Sequence, residues 1–158
     1  MQARLVIDEG ILIRGAVTIG EVAKSWGQLF GPAVVRAYEL EQDYAKSPRI
    51  IIDDRIFEVL RGLKGAWLHD ERTDRRDLQL LTRRDTDRRC FVDYLRAVES
   101  ELDDPAYYHV CLDRHHEVIR KGFQRYRRNS GIRTKYEWLK RYHEATIARM
   151  NKGRTSPT

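Results

Sequence analysis

"GQLFGPAVVRAYELE", residues 27–41, is the stretch of sequence on which the fold prediction depends. It opens with a short apolar segment at 27–30, continues with the Gly31-Pro32 pair, and then changes to an apolar–polar repeat of helical period. Proline suits the first turn of a helix, where its missing N–H is not required. We therefore predict a short strand at 27–30 and a helix over 32–45. The predicted apolar stripe of this helix is Ala33, Val34, Ala37, Leu40 and Tyr44.

The start of this predicted helix has two interpretations. Backbone N–H groups at a helix N-terminus can bind phosphate, which would make the Gly-Pro pair part of a nucleotide site. Pro32 removes one of these donors, however, and no Lys-Ser or Lys-Thr pair follows it, so spacing favours a plain turn into a helix. Glu39 and Glu41 are two residues apart and point to different sides, which predicts solvated or salt-bridged carboxylates.

The sequence on either side predicts the rest of an α+β domain. Residues 11–19 and 48–53 are rich in aliphatic and β-branched side chains and predict two strands. Asp53 or Asp54 can cap a short helix that follows the second strand. Residues 64–77 are highly charged and predict a loop, with Trp67 and Leu68 holding it to the domain. A hairpin is predicted next, with arms Leu78–Thr82 and Cys90–Tyr94 and with residues 85–87 at its tip.

The two ends of the chain predict helices. The first residues have the pattern of the last turns of a helix, closed by Gly10. Residues 105–128 and 132–150 have helical periodicity and are separated by Ser130-Gly131, and residues 151–158 predict a frayed tail. The order of elements predicts helices on one face of a small sheet, whose open edge could accept a partner.

Composition limits the classes of protein that need consideration. A chain of 158 residues suits one domain, and a net charge of +6 favours anionic partners such as phosphates or nucleic acid. Cys90 and Cys111 match no metal or redox spacing, so we predict free thiols in a reducing compartment. With no run of 18 apolar residues and no secretory signal pattern, we expect a cytoplasmic protein.

Three clusters of polar residues suggest a site but have simpler interpretations. His109, Asp113 and His116 would share one helix face and could hold a metal, although ordinary packing is favoured. Asp85 and Asp87 resemble part of a calcium loop that lacks its glycine and distal glutamate, which favours a hairpin tip. Residues 114–153 contain 12 Lys or Arg with interleaved aromatic residues, a composition that fits nucleic-acid binding but equally fits helix packing.

The ordered segments "LIRGAVTIGEV", "FGPAVVRAYELE" and "PRIII" resemble the second half of a class III nucleotidyl cyclase catalytic domain. They are most similar to the bacterial branch that includes the cytidylate and uridylate cyclases of antiphage signalling. The resemblance covers residues 2–60 and, more loosely, 78–96 and 132–143. It implies a partial ferredoxin-like sheet, a dimer, and conversion of a nucleoside triphosphate into a 3′,5′-cyclic monophosphate and pyrophosphate. In intact members, two aspartates hold two Mg or Mn ions that activate the ribose 3′-hydroxyl.

When the family's catalytic positions are transferred to this sequence one by one, the resemblance implies an incomplete cyclase site. The family's transition-state Asn and Arg positions are occupied by Val35 and Glu39, so no catalytic residue is expected here. Nucleotide-binding positions correspond to Gln28, Phe30 and Gly31, with Gln28 at the base-recognising place. The family's metal aspartates lie N-terminal to the matched part, and Asp8 is not one of them, so no metal ligand and no cofactor are expected in this chain.

These observations predict a protein with two parts. Residues 1–100 are expected to form the C-terminal half of a cyclase-like domain, and residues 101–158 a helical extension. Because "MQARLVIDEG" resembles the last turns of the family's central helix, the chain is expected to be a truncated or split form that makes no cyclic nucleotide alone. The alternatives are a non-catalytic dimerisation partner, as a homodimer or with a missing N-terminal half, and a nucleic-acid-binding module that uses the basic C-terminal helices.

Overall fold

The computed structural model describes residues 1–62 and 71–154 and has the predicted α+β class. In chain order its elements are α1 (Gln2–Ile7), β1 (Gly15–Val17), β2 (Ala23–Ser25), β3 (Gln28–Phe30), α2 (Pro32–Tyr44), β4 (Ile50–Ile52), α3 (Asp54–Gly62), α4 (Glu71–Leu81), β5 (Thr82–Arg84), β6 (Cys90–Val92), α5 (Tyr94–Glu101), α6 (Pro105–Arg125) and α7 (Ser130–Arg154).

The chain divides into two compact units. The sheet unit comprises Arg14–Asp93, and the helical unit comprises Met1–Ile13 together with the chain from Tyr94 onward. The first residues of the chain therefore pack with the C-terminal helices. The division predicted at residue 100 is a different one, because it marks where the resemblance to the cyclases ends. That division stays a prediction.

A four-stranded mixed sheet forms the centre of the sheet unit, in the order β1-β4-β6-β5. Strand β1 is parallel to β4, with Ala16 opposite Ile51. Parallel neighbours require a crossover connection, and α2 lies within it and packs on both strands. Strand β6 is antiparallel to β4 and β5, and it places Phe91 opposite Ile51 at the centre of the sheet.

The helix predicted over 32–45 is confirmed as α2, but the surrounding strands are shorter than predicted. Ala33 and Leu40, two turns apart, form the buried side of α2, whereas Tyr44 is exposed. The predicted strand 11–19 is reduced to β1, because Gly10 ends α1 before it and Gly20 begins a turn after it. The strand predicted at 27–30 is β3, and it pairs with β2, which the sequence did not predict, in a separate two-stranded sheet.

The region before the second hairpin was predicted wrongly. Residues 71–81 form helix α4, where a loop and then the arm Leu78–Thr82 were expected. Arg, Glu, Gln and Leu are good helix formers, so a charged segment with few apolar residues can still be helical. A hairpin is present, but its first arm is β5, which shares only Thr82 with the predicted arm, and its second arm, β6, stops at Val92. The predicted contacts of Trp67 and Leu68 lie outside the described residues.

Helices α1, α5, α6 and α7 form the helical unit around a core that includes Val6, Leu95, Leu112, Ile119 and Leu139. The two long helices predicted from the sequence are present as α6 and α7, but α6 ends at Arg125 and the predicted break at Ser130-Gly131 is the start of α7. Asp104 caps α6 by accepting a hydrogen bond from the Ala106 N–H at 2.8 Å. Residues 151–154, predicted as tail, continue α7, and residues 155–158 lie outside the described part.

Helix α5 had no counterpart in the prediction, and the segment that contains Tyr94 and Leu95 is buried in this unit. At the start of the chain, the predicted end of α1 at Gly10 is confirmed, because the Gly10 N–H donates to the Val6 carbonyl. Both cysteines are free thiols, as predicted. None of the described helices has the length and hydropathy needed to cross a membrane.

Candidate functional site

The Gly31-Pro32 corner joins the β2–β3 hairpin to α2. Gly31 adopts φ 130° and ψ 172°, a backbone conformation that is essentially restricted to glycine. A Cβ atom at this position would lie 2.7 Å from the Glu21 carbonyl oxygen, so the chain before β2 and the start of α2 approach too closely for any other residue. The glycine is therefore explained by local packing, without a ligand.

The first turn of α2 has its N–H donors engaged. Pro32 has none, and the Ala33 N–H donates to the Glu21 carbonyl at 3.3 Å. The Val34 and Val35 N–H groups both donate to the Gly31 carbonyl, at 3.0 and 3.2 Å. A phosphate at this helix start would have to displace these hydrogen bonds, so the geometry favours the interpretation as a turn into a helix.

The positions assigned by the cyclase resemblance lie close together along the chain and are accessible. Gln28 and Phe30 are exposed residues of β3, and as alternate residues of a strand they project to the same face. Val35 and Glu39 are exposed and one helical turn apart on α2. That turn offers a methyl-bearing side chain and a carboxylate where the family uses an amide and a cation. The nucleotide-binding role of Gln28, Phe30 and Gly31 stays a prediction.

Arg36, which follows Val35 in α2, forms an ion pair with the buried carboxylate of Asp53. Its Nε and one terminal nitrogen donate to the two carboxylate oxygens of Asp53, at 3.1 and 3.3 Å. The Thr18 hydroxyl donates to the same carboxylate at 2.7 Å, and Asp53 is almost fully buried. Burial alone would raise the pKa of Asp53, but the hydrogen bonds from Arg36, Thr18 and the Arg55 N–H outweigh it and lower the pKa.

The aspartates at the hairpin tip serve a second ion pair. Both Asp85 and Asp87 accept hydrogen bonds from the buried guanidinium of Arg49, which also donates to the Tyr44 carbonyl at 3.0 Å. Burial would raise the pKa of Asp87, but its hydrogen bonds with Arg49 and with the Arg89 N–H lower it. The two carboxylates therefore fasten the β5–β6 hairpin to the start of β4, as expected for a hairpin tip. Glu41 is likewise salt-bridged, to Arg14 at 2.5 Å.

A polar cluster that the sequence did not predict lies in the core of the helical unit. The ring of His115 on α6 stacks on the ring of His143 on α7, with 3.1 Å between their Nδ1 atoms. The other nitrogen of His115, Nε2, lies 2.7 Å from the Tyr94 hydroxyl. One Nδ1 must donate and the other must accept, so at least one of the two rings has to be neutral.

Burial is the main reason why this histidine pair stays neutral. Burial, with added repulsion from His143 and His116, lowers the pKa of His115 to about 3. Burial and the neighbouring His116 also lower the pKa of His143. The signal in the sequence was the His115-His116 doublet, but only the packing of α6 on α7 places His143 against it.

The structure does not assemble a metal site from His109, Asp113 and His116. All three side chains are exposed on α6. Among the residues that the structure describes, no group of three or more His, Cys, Asp or Glu side chains is placed to hold a metal ion.

The most unusual surface of the sheet unit is apolar. Every residue from Glu21 to Phe30 is exposed, so the β2–β3 hairpin is covered on neither face. Trp26, at the hairpin turn, is 100% exposed, and Leu29 in β3 is 59% exposed. We use the name "hairpin surface" for the exposed apolar residues of the hairpin and of α2 beside it, which are Val22, Trp26, Leu29, Phe30, Val35 and Tyr38.

Comparisons with known proteins do not assign this chain to a family. No family model, no curated protein and no solved structure matches it. The relation to the nucleotidyl cyclases therefore stays a prediction, based on the segments quoted in the sequence analysis.

Proposed function

We propose that this protein is a nucleotidyl-cyclase-like association module that pairs with a second copy of itself and does not cyclise a nucleotide. The observation that carries this proposal is the exposure of the whole β2–β3 hairpin. A two-stranded hairpin is marginally stable in water unless it packs against something else. Large apolar side chains collected on such a hairpin mark a surface that is covered in the working state.

A second copy fits the hairpin surface better than an unrelated partner. The surface is flanked by exposed groups of both signs, Lys24 on β2 and Glu21 and Glu39 beside it. In a two-fold pair the same patch meets itself, so a patch with both signs can place each cation near a carboxylate of the other copy. The cyclase resemblance, which implies a dimer, agrees with this choice.

The same residues support a non-catalytic role. Val35 carries no hydrogen-bonding group, and Glu39 would repel the phosphates that the family's cation stabilises. The N–H groups of the first turn of α2 are engaged within the protein. The free thiols of Cys90 and Cys111 fit a reducing compartment, and we include a cytoplasmic location in the proposal.

The test is the mass of the protein in solution, measured by size-exclusion chromatography with light scattering. We expect a dimer of twice 18.7 kDa, which dissociates on dilution. The double variant Leu29→Glu/Tyr38→Glu places charges in the hairpin surface and should be a monomer. Its matched control is Tyr107→Glu/Val110→Glu, which adds the same charges to exposed apolar positions of α6 and should leave the dimer intact.

Two outcomes contradict the proposal. If the wild-type protein is monomeric up to the highest soluble concentration, the proposed pairing is wrong. A dimer that the hairpin variant leaves intact but the α6 variant disrupts moves the interface away from the hairpin surface. Circular dichroism of both variants establishes that they are folded before the masses are compared.

A further inference from the structure

The connection between α6 and α7 is the most strongly charged part of the helical unit. Residues 118–136 contain seven Lys or Arg and no Asp or Glu. We use the name "basic turn" for this group, which consists of Arg120, Lys121, Arg125, Arg127, Arg128, Arg133 and Lys135. Nothing in the proposed pairing through the hairpin surface uses these residues.

Among the described residues, three arginines at the tip of the basic turn have no carboxylate within salt-bridge distance. Arg120 and Arg133 pair with Glu117 and Glu137, at 2.6 and 3.2 Å, within their own helices. By contrast, Arg125, Arg127 and Arg128 are exposed and line one open pocket together with Gln124. In the part of the chain that the structure describes, none of these three forms a salt bridge. Three guanidinium groups that line one pocket without a salt bridge produce a positive surface that attracts anions.

The backbone that carries these arginines is held in place by aromatic packing. The Tyr136 ring of α7 stacks on Tyr126 with 5.9 Å between ring centroids, and it lies directly against the backbone of Gly122. The Tyr126 N–H donates to the Gly122 carbonyl, and the Asn129 side chain caps α7 by accepting from the Ile132 N–H at 3.0 Å. The tip is therefore a fixed platform from which long cationic side chains extend, and less conformational entropy is lost on binding.

We propose that the basic turn is a docking surface for the phosphate backbone of a nucleic acid. One guanidinium group can donate two parallel hydrogen bonds to a phosphate. Each phosphate that is neutralised in this way releases counterions that were condensed on the nucleic acid. A membrane surface fits less well, because membrane-bound segments add apolar side chains that enter the bilayer. Among the described residues after Val110, no large hydrophobic side chain is exposed. The surface therefore offers charge alone, which matches a polyanion in solution.

The test is fluorescence anisotropy with labelled double-stranded and single-stranded DNA and RNA oligonucleotides over a range of salt concentrations. The triple variant Arg125→Gln/Arg127→Gln/Arg128→Gln should bind at least about tenfold more weakly at low salt, and its log–log salt slope should fall by about 2 to 3. A matched control, Arg4→Gln/Arg55→Gln/Arg61→Gln, removes the same net charge from exposed positions elsewhere and should bind like the wild type. Arg125→Lys/Arg127→Lys/Arg128→Lys keeps the charge and should retain most of the affinity.

Three results overturn the proposal. The first is absence of binding by the wild type at low salt. The second is an equal loss of affinity in the tip variant and in the matched control, which would indicate attraction to net charge only. The third is binding to phosphatidylserine vesicles without binding to any oligonucleotide, which would assign the surface to a membrane. Thermal melting of each variant verifies that the helical unit is folded, and the dimer measurement on the hairpin surface is independent of all these outcomes.

Discussion

At the residue scale, Asp53 is the point at which three elements of the sheet unit meet. Its carboxylate accepts hydrogen bonds from Thr18 after β1, from Arg36 on α2 and from the Arg55 N–H at the start of α3. The sequence predicted Asp53 or Asp54 as the cap of α3, and the hydrogen bond to Arg55 identifies Asp53. Its link to Arg36, 17 residues away, depends on the packing of α2 against the sheet.

Replacing this carboxylate should destabilise the sheet unit. We expect Asp53→Asn to lower the free energy of unfolding by about 3 kcal/mol, because it leaves the Arg36 guanidinium without its buried partner. Asp54→Asn is the matched control, since Asp54 is half exposed and its ion pair with Arg89 is long, at 3.5 Å. Its cost should be under about 1 kcal/mol. Urea unfolding monitored by circular dichroism measures both, and equal costs would contradict the role of Asp53.

His115, because it is buried, makes the stability of the folded protein depend on pH in the acidic range. Its pKa is lowered to about 3 in the folded protein, mainly by burial, whereas the unfolded chain binds the proton near the ordinary value of 6.5. The unfolded state therefore gains a proton first as the pH falls. The contribution of neutral His115 to stability should be fully present above pH 6.5 and should be lost by about 1.4 kcal/mol per pH unit below it, until the pH approaches 3.

The measurement is urea unfolding at a series of pH values between neutral and acid. His115→Gln should flatten the loss of stability over this range, although it is less stable at neutral pH. His109→Gln, which changes an exposed histidine of the same helix, should retain the wild-type profile. A wild-type profile without any decrease between pH 6.5 and 4 would contradict the neutral histidine pair.

At the scale of elements, the contact between α6 and α7 depends on the absence of a side chain at Gly122. A Cβ atom there would lie 2.1–2.4 Å from ring carbons of Tyr136, which is far inside contact distance. Glycine lowers the stability of a helix when it lies in the interior of that helix, so helix propensity alone would disfavour a glycine at residue 122. The packing of the Tyr136 ring on the α6 backbone is what offsets that cost.

Gly122→Ala should therefore destabilise the protein, whereas Gly131→Ala should not. Alanine normally stabilises a helix relative to glycine, but at residue 122 it forces α7 away from α6 and should cost about 1–3 kcal/mol. At Gly131, near the start of α7, the nearest atom to an added Cβ is 3.7 Å away, so alanine fits and should be neutral or stabilising. Thermal denaturation of both variants decides, and a stabilised Gly122→Ala protein would contradict the close packing of these helices.

Element boundaries also indicate where local patterns are sufficient. The start of α2 followed from Pro32, because a proline at the first helical position is a local signal. The start of α6 was predicted at residue 105 from periodicity, and Pro105 likewise occupies the first helical position there. Helix α4 was missed because its apolar residues, Leu78, Leu80 and Leu81, lie close together at its end and match the pattern of a hairpin arm. Strand β2 was missed because a strand exposed on both faces needs no apolar alternation.

At the scale of the whole molecule, the proposed function predicts a protein that associates without catalysis. Incubation of the purified chain with each nucleoside triphosphate and Mg or Mn should give no cyclic monophosphate, because Val35 and Glu39 cannot orient the ribose or stabilise the phosphate charge. Chromatography of the nucleotides, with an active cyclase as the positive control, makes this measurement. Accumulation of any cyclic nucleotide above the background of heat-inactivated protein would contradict the non-catalytic role.

The amino-acid sequence alone was sufficient for the α+β class, for α2, α6 and α7, and for the end of α1, because each depends on residues within a few positions of one another. Tertiary structure decided the contacts that connect distant parts of the chain. Arg49 meets Asp85 and Asp87 across 36 and 38 residues, and His115 meets His143 across 28. It also decided that the β2–β3 hairpin is exposed on both faces, although Trp26, Leu29 and Phe30 are large apolar residues. No local pattern encodes such contacts, since they arise only when the packing of entire elements brings the side chains together.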